Sequence, residues 1–80
     1  MSRFSVDFVS PVEYEWLAAE ISYDGQLICR VSNERSDREL EVQFAFDARI
    51  GKVMTPTVPL RELMTLLEDV AKEVQAFRDK

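Results

Sequence analysis

The last third of the chain constrains the fold most. There Leu60, Leu63, Met64, Leu67, Val70, Ala71 and Val74 recur in steps of three and four. That spacing stacks them on one face of an α-helix, with Arg61, Glu62, Glu68, Asp69, Lys72 and Glu73 on the other side. Pro59 suits the first turn, where its missing N–H has no intrahelical partner. Glu62 in that turn and the cations from Lys72 to Lys80 carry the signs that the helix dipole favours at each end. Burying six large side chains of the stripe contributes about 10–15 kcal/mol gross. Fixing ~20 backbone residues costs about 1–2 kcal/mol each. A helix over about 59–78 therefore needs a surface to cover.

Upstream the apolar period falls to two. Phe4, Val6 and Phe8 alternate with Ser5 and Asp7 in a first strand, and Pro11 then forces a turn. A second strand is expected from about Tyr14 to Ser22, with Leu17, Ala19 and Ile21 on one face and Tyr14, Trp16, Ala18 and Glu20 on the other. The Asp24-Gly25 turn admits two registers. A two-residue loop sets Ile21 against Ile28 and Ala19 against Arg30, which puts Arg30 and Ser32 among apolar side chains. A three-residue loop, Tyr23-Asp24-Gly25, sets Ile21 against Leu27, Ala19 against Cys29 and Leu17 against Val31. The longer loop gathers the apolar groups on one face and lets Gly25 take a left-handed bulge position, so it is the preferred register.

A third strand then spans about Gln26 to Asn33, and the charged connection Glu34 to Arg38 follows. Leu40, Val42, Phe44 and Phe46 alternate through a fourth strand, and residues 53–57 permit a further edge strand. The expected architecture is a single α+β domain over residues 1–80. Its sheet is an antiparallel β-meander of about four strands in sequential order, packed on one face by the C-terminal helix. Leu63, Met64, Leu67 and Val70 are expected to oppose Leu17, Ile21, Val42 and Phe44.

Composition narrows the function. Apolar content of 46% with eight aromatics suits a packed core. The chain has no histidine and one cysteine, Cys29. The commonest general base, the commonest zinc ligand and any intrachain disulfide are thereby removed. Gly25 and Gly51 are the only glycines, so no phosphate-cradling loop is present. Met1 to Phe8 lacks the basic start and apolar run of a signal peptide. No apolar run approaches the ~20 residues of a membrane span, and the cytoplasm is the expected location. A net charge of −5 disfavours the phosphates of nucleic acid and anionic lipid. Neither nucleic acid nor membrane is therefore expected as a partner.

Chemistry at single residues is equally restricted. Cys29 points inward on the preferred register and reads as a small apolar filler without an activating base. Glu15 and Glu20 fall on opposite strand faces, so they form no acid–base pair. No catalytic, cofactor-binding or metal-binding residue is assigned, and no cofactor is expected. The face left bare by the helix is more informative. It gathers Tyr14, Trp16 and Ile28, with Arg30 diagonal to Glu20 and near enough to Trp16 for a cation–π contact. Glu13, Glu20, Glu34 and Asp37 give it an acidic rim. Aromatic and arginine side chains at the centre of a polar rim are the composition of a protein interface.

Several segments carry a family resemblance. They are Glu15-Trp16-Leu17-Ala18-Ala19-Glu20-Ile21 running into Asp24-Gly25, then Val31-Ser32-Asn33-Glu34, Leu40-Glu41-Val42-Gln43-Phe44 and Val58-Pro59-Leu60-Arg61-Glu62-Leu63. From Tyr14 onward the arrangement resembles small bacterial immunity proteins of the polymorphic-toxin type. The resemblance implies a non-enzymatic protein that binds and blocks a toxin domain, and the net charge of −5 would suit a basic one. The alternatives are a self-associating homodimer through the same sheet face and, less supported, a small enzyme or enzyme subunit. The expected interface is Tyr14, Trp16, Glu20, Ile28, Arg30, Glu34 and Asp37, and on this reading Trp16→Ala weakens partner binding without unfolding the domain.

Overall fold

The computed structural model describes residues 3–44 and 57–79. Four strands, β1 (Phe4–Val9), β2 (Ala18–Tyr23), β3 (Gln26–Ser32) and β4 (Glu41–Phe44), precede one helix, α1 (Leu60–Asp79). The strands form an antiparallel sheet in the order β1-β2-β3-β4, and α1 packs on it against β2 and β3. This is the expected α+β meander. The expected edge strand near 53–57 lies, apart from Thr57, outside the described residues.

The β2–β3 hairpin corrects the preferred register. Tyr23 pairs with Gln26, so Asp24-Gly25 is a two-residue turn. Its φ values are 52° and 79°, both positive, as the right-handed twist of a tight hairpin requires. Ser22 then faces Leu27, but Ile21 faces Cys29, leaving Ile28 as the extra residue of a bulge. Beyond it Glu20 faces Arg30 and Ala19 faces Val31. The three-residue loop and its pairings of Ile21 with Leu27 and Ala19 with Cys29 are therefore wrong in detail. Their physical motive survives, because the inserted residue restores the parity that the two-residue turn alone would break.

One sheet face consequently runs apolar from edge to edge. Phe4, Val6 and Phe8 lie opposite Tyr23, Ile21 and Ala19, and Cys29 and Val31 lie opposite Phe44 and Val42. Ala19, Ile21, Ile28, Cys29 and Val31 form the core with Val70 and Val74 of α1. Phe4, Val6, Tyr23, Leu40, Val58, Leu66 and Leu67 surround it.

The helix docks through its C-terminal half, which corrects part of the expected opposition: Val70 and Leu67 do pack in one cluster with Ile21. Met64 is 54% exposed, Phe44 76% and Val42 44%, and Leu17 stops short of β2. The anchor is at the far end, where Phe77 meets Phe8 edge-on at 5.4 Å. At the near end Leu63 donates its N–H to the Pro59 carbonyl at 3.1 Å, which starts the helix at Leu60.

Stability should follow this docking. Val74→Ala removes methyl groups from a site with no exposure and is expected to cost about 2 kcal/mol. Met64→Ala should cost less than about 1 kcal/mol, and urea unfolding of the two variants makes the comparison.

Candidate functional site

The connection from Ser10 to Leu17 folds back on itself before β2 begins. Tyr14 donates its N–H to the Pro11 carbonyl at 3.0 Å. The Glu34 carboxylate then accepts the N–H groups of Glu15 at 2.8 Å and Trp16 at 3.0 Å. Those donors are not available to a ladder, so β2 starts at Ala18 instead of Tyr14. Tyr14 and Trp16 are loop residues, which corrects their expected placement on the strand.

Two arginines sort the two aromatics. The Arg30 guanidinium lies 5.6 Å from the Tyr14 ring centroid, while Arg78 stacks over Trp16 at 4.1 Å. The expected contact between Arg30 and Trp16 is therefore corrected. Arg30 also stands directly opposite Glu20, not diagonal to it. It donates Nε at 3.1 Å and Nη2 at 2.6 Å to Glu20 Oε2. Both side chains are about three-quarters buried, at 27% and 23% exposure, so this pair is screened less than a surface bridge.

Arg78 does more than cover Trp16. Its Nη1 donates to the Asn33 carbonyl at 2.8 Å, to Asn33 Oδ1 at 3.2 Å and to the Arg35 carbonyl at 2.6 Å. Asn33 is buried, so the two bonds to it satisfy groups that water barely reaches. Arg38, at φ 66°, returns the contact by donating to Asp79 at 3.0 Å. Within the same loop Asp37 accepts the Glu39 N–H at 3.0 Å and both Nε and Nη2 of Arg35. These donors, Glu39 first, hold its carboxyl below the usual carboxylate range. Because the folded pKa lies below the unfolded one, this contribution is present at neutral pH and is lost as pH falls through the folded value.

The seven expected interface residues thus divide. Tyr14, Glu20 and Arg30 meet on the sheet face turned away from α1. Trp16 and Glu34 are drawn into the clamp at the end of the sheet, and Asp37 orders its own exposed loop. Ile28 is corrected outright: as the bulge residue it is buried in the core and no partner reaches it.

Register adds residues that the sequence did not single out. Asp7 pairs with Glu20, Glu20 with Arg30, and Arg30 with Gln43. An Asp-Glu-Arg-Gln row therefore crosses all four strands. Strand alternation placed Asp7 off the apolar face, but nothing local reveals which residue of β2 it faces. Arg78 carried no signal either, since its acceptor Asn33 lies 45 positions away.

Cys29 is buried in the core, and burial pushes its thiol up. Its reaction with a thiol reagent at pH ~8 should proceed only as fast as the domain opens. Above the ordinary thiol pKa of ~8.5 the unfolded chain ionises first, so stability should decline with rising pH in that range. Removing the clamp is expected to cost more: Arg78→Ala strands the polar groups of buried Asn33 and uncovers Trp16, for about 2–4 kcal/mol. Trp16 is the only tryptophan, so its fluorescence should shift to the red in the folded variant. Arg78→Lys should not restore it, because an ammonium cannot stack and bridge three acceptors in one plane.

Among the described residues no group of three or more metal-ligating side chains occurs, and no helix is long and apolar enough to cross a membrane. No protein family, curated protein or solved structure matches the chain, so a functional reading rests on the chemistry of the sheet face itself.

Proposed function

We propose that the chain is a non-enzymatic protein-binding module, an immunity-like inhibitor acting in the cytoplasm, and that its binding surface is the sheet face turned away from α1. The row Asp7–Glu20–Arg30–Gln43, flanked by Tyr14, carries this reading. Asp7 and Glu20 stand directly opposite each other, an arrangement of like charges that costs stability in a sheet. Arg30 neutralises Glu20, and among the described residues no ion pair engages Asp7. A lysine or arginine of the partner entering beside Asp7 completes the charge balance, with Tyr14 as an aromatic anchor next to it.

The net charge of −5 supports a basic partner by steering its approach. The same charges weigh against the rival reading, a homodimer built on this face, because two copies set carboxylate rows against each other. A toxin domain with a basic face satisfies both considerations.

Asp7 is exposed and takes part in no ion pair among the described residues, so at Asp7→Lys a loss of binding cannot be traced to a loss of stability. With a toxin domain that carries a basic face as the titrant, Asp7→Lys should weaken binding about tenfold or more while the urea midpoint holds or rises, because the lysine relieves the repulsion with Glu20. Wild-type affinity in that variant would remove the face from consideration, and a neighbouring metabolic operon without a toxin would overturn the class.

A further inference from the structure

Val9 pairs with Ala18, so residues 10–17 form a closed loop between β1 and β2. Its second half is fastened at each residue from Tyr14 to Trp16. Tyr14 closes a turn onto the Pro11 carbonyl and lies against Arg30. Glu15 and Trp16 give their N–H groups to Glu34, and Arg78 covers the Trp16 ring. On the other side of the turn the ring of Pro11 fixes its own φ. The central residues of the turn, Val12 and Glu13, are left at the tip, and both are exposed.

Val12 is fully exposed, and among the described residues no other large apolar side chain is as open, Phe44 following at 76%. The fold gains nothing from an apolar group held in water. Turn centres are ordinarily occupied by glycine, asparagine, aspartate, serine or proline, each for its backbone preference, and valine offers none of these. An isolated exposed apolar side chain is ordinary on a protein surface. One set on a backbone pinned from both sides is a preformed contact, because neither the loop nor the stiff valine side chain has much freedom left to lose on binding.

We propose, resting on the protein-binding reading, that Val12 is the apolar anchor of the interface. It enters a shallow apolar pocket of a toxin domain, and a lysine or arginine on the rim of that pocket meets Glu13. Tyr14, two residues on, touches Arg30 of the charged row, so the tip borders the open sheet face. The row itself, Asp7, Glu20, Arg30 and Gln43, orients a basic partner but offers it little apolar area to bury. A stable interface combines an apolar centre with a polar surround, and Val12 supplies what the row lacks. Glu13 and the net charge of −5 give the pocket its basic rim.

Two measurements test the anchor. Nitrogen-15 relaxation of the free domain needs no partner. Order parameters at Val12 and Glu13 near the ~0.85 of rigid backbone are expected, and values below ~0.6 overturn a preformed tip. The second is titration with a toxin domain that carries a basic face. Val12→Ser keeps a turn-forming residue and should weaken binding about tenfold with the urea midpoint unchanged. Leu60→Ser removes another exposed apolar side chain, at the start of α1, and should leave the affinity as it was. Native affinity in Val12→Ser, or an equal loss in Leu60→Ser, overturns the proposal. If Asp7→Lys weakens binding and Val12→Ser does not, the anchor alone is wrong. If the native chain does not bind, the protein-binding reading falls and takes the anchor with it.

Discussion

The guanidinium of Arg78 holds the parts of this domain in relation to one another. It sits over the Trp16 ring at 4.1 Å and donates to the carbonyls of Asn33 and Arg35, so one side chain joins α1, the β1–β2 connection and the loop after β3. Those segments share no local sequence. The Glu34 carboxylate completes the arrangement by gathering the N–H groups of Glu15 and Trp16. Removing Arg78 leaves the polar groups of buried Asn33 without this donor, which is costlier than the mean value of a hydrogen bond suggests.

The clamp accounts for where the helix lies. Phe77 and Arg78 fix the last turn against Phe8, Trp16 and Asn33. Val74 and Val70, one and two turns earlier, then fall on the bulged hairpin. The apolar stripe continues to Leu60, yet with the anchor at the other end its first turns stay exposed. An amphipathic stripe specifies that a helix packs; the residues at its ends specify which part of the stripe does so.

The bulge at Ile28 has a comparable effect on the sheet. Without it the two-residue turn would bring Arg30 to the apolar face; with it Arg30 stands against Glu20 on the polar one. A single inserted residue therefore produces both the continuous core and the charged row opposite. The sheet is left with a face that carries a partly compensated row of charge.

Periodicity alone determined the strands, the helix and their order, because alternation at two and at 3.6 is a property of neighbouring residues. It also determined that Cys29 is inside and that the apolar sides of β1, β2 and β3 agree. Tertiary structure decided the rest. Turn length and bulge depend on the conformation of Asp24 and Gly25, and two registers of opposite local detail satisfy the same hydrophobic pattern. The pairing of arginines with aromatics, and of Asp7 with Glu20, depends on contacts between residues far apart in the chain. An interface composition was legible in Tyr14, Glu20 and Arg30. That Trp16, Glu34 and Ile28 serve the fold was not, since burial and hydrogen bonding across elements exist only once those elements are packed.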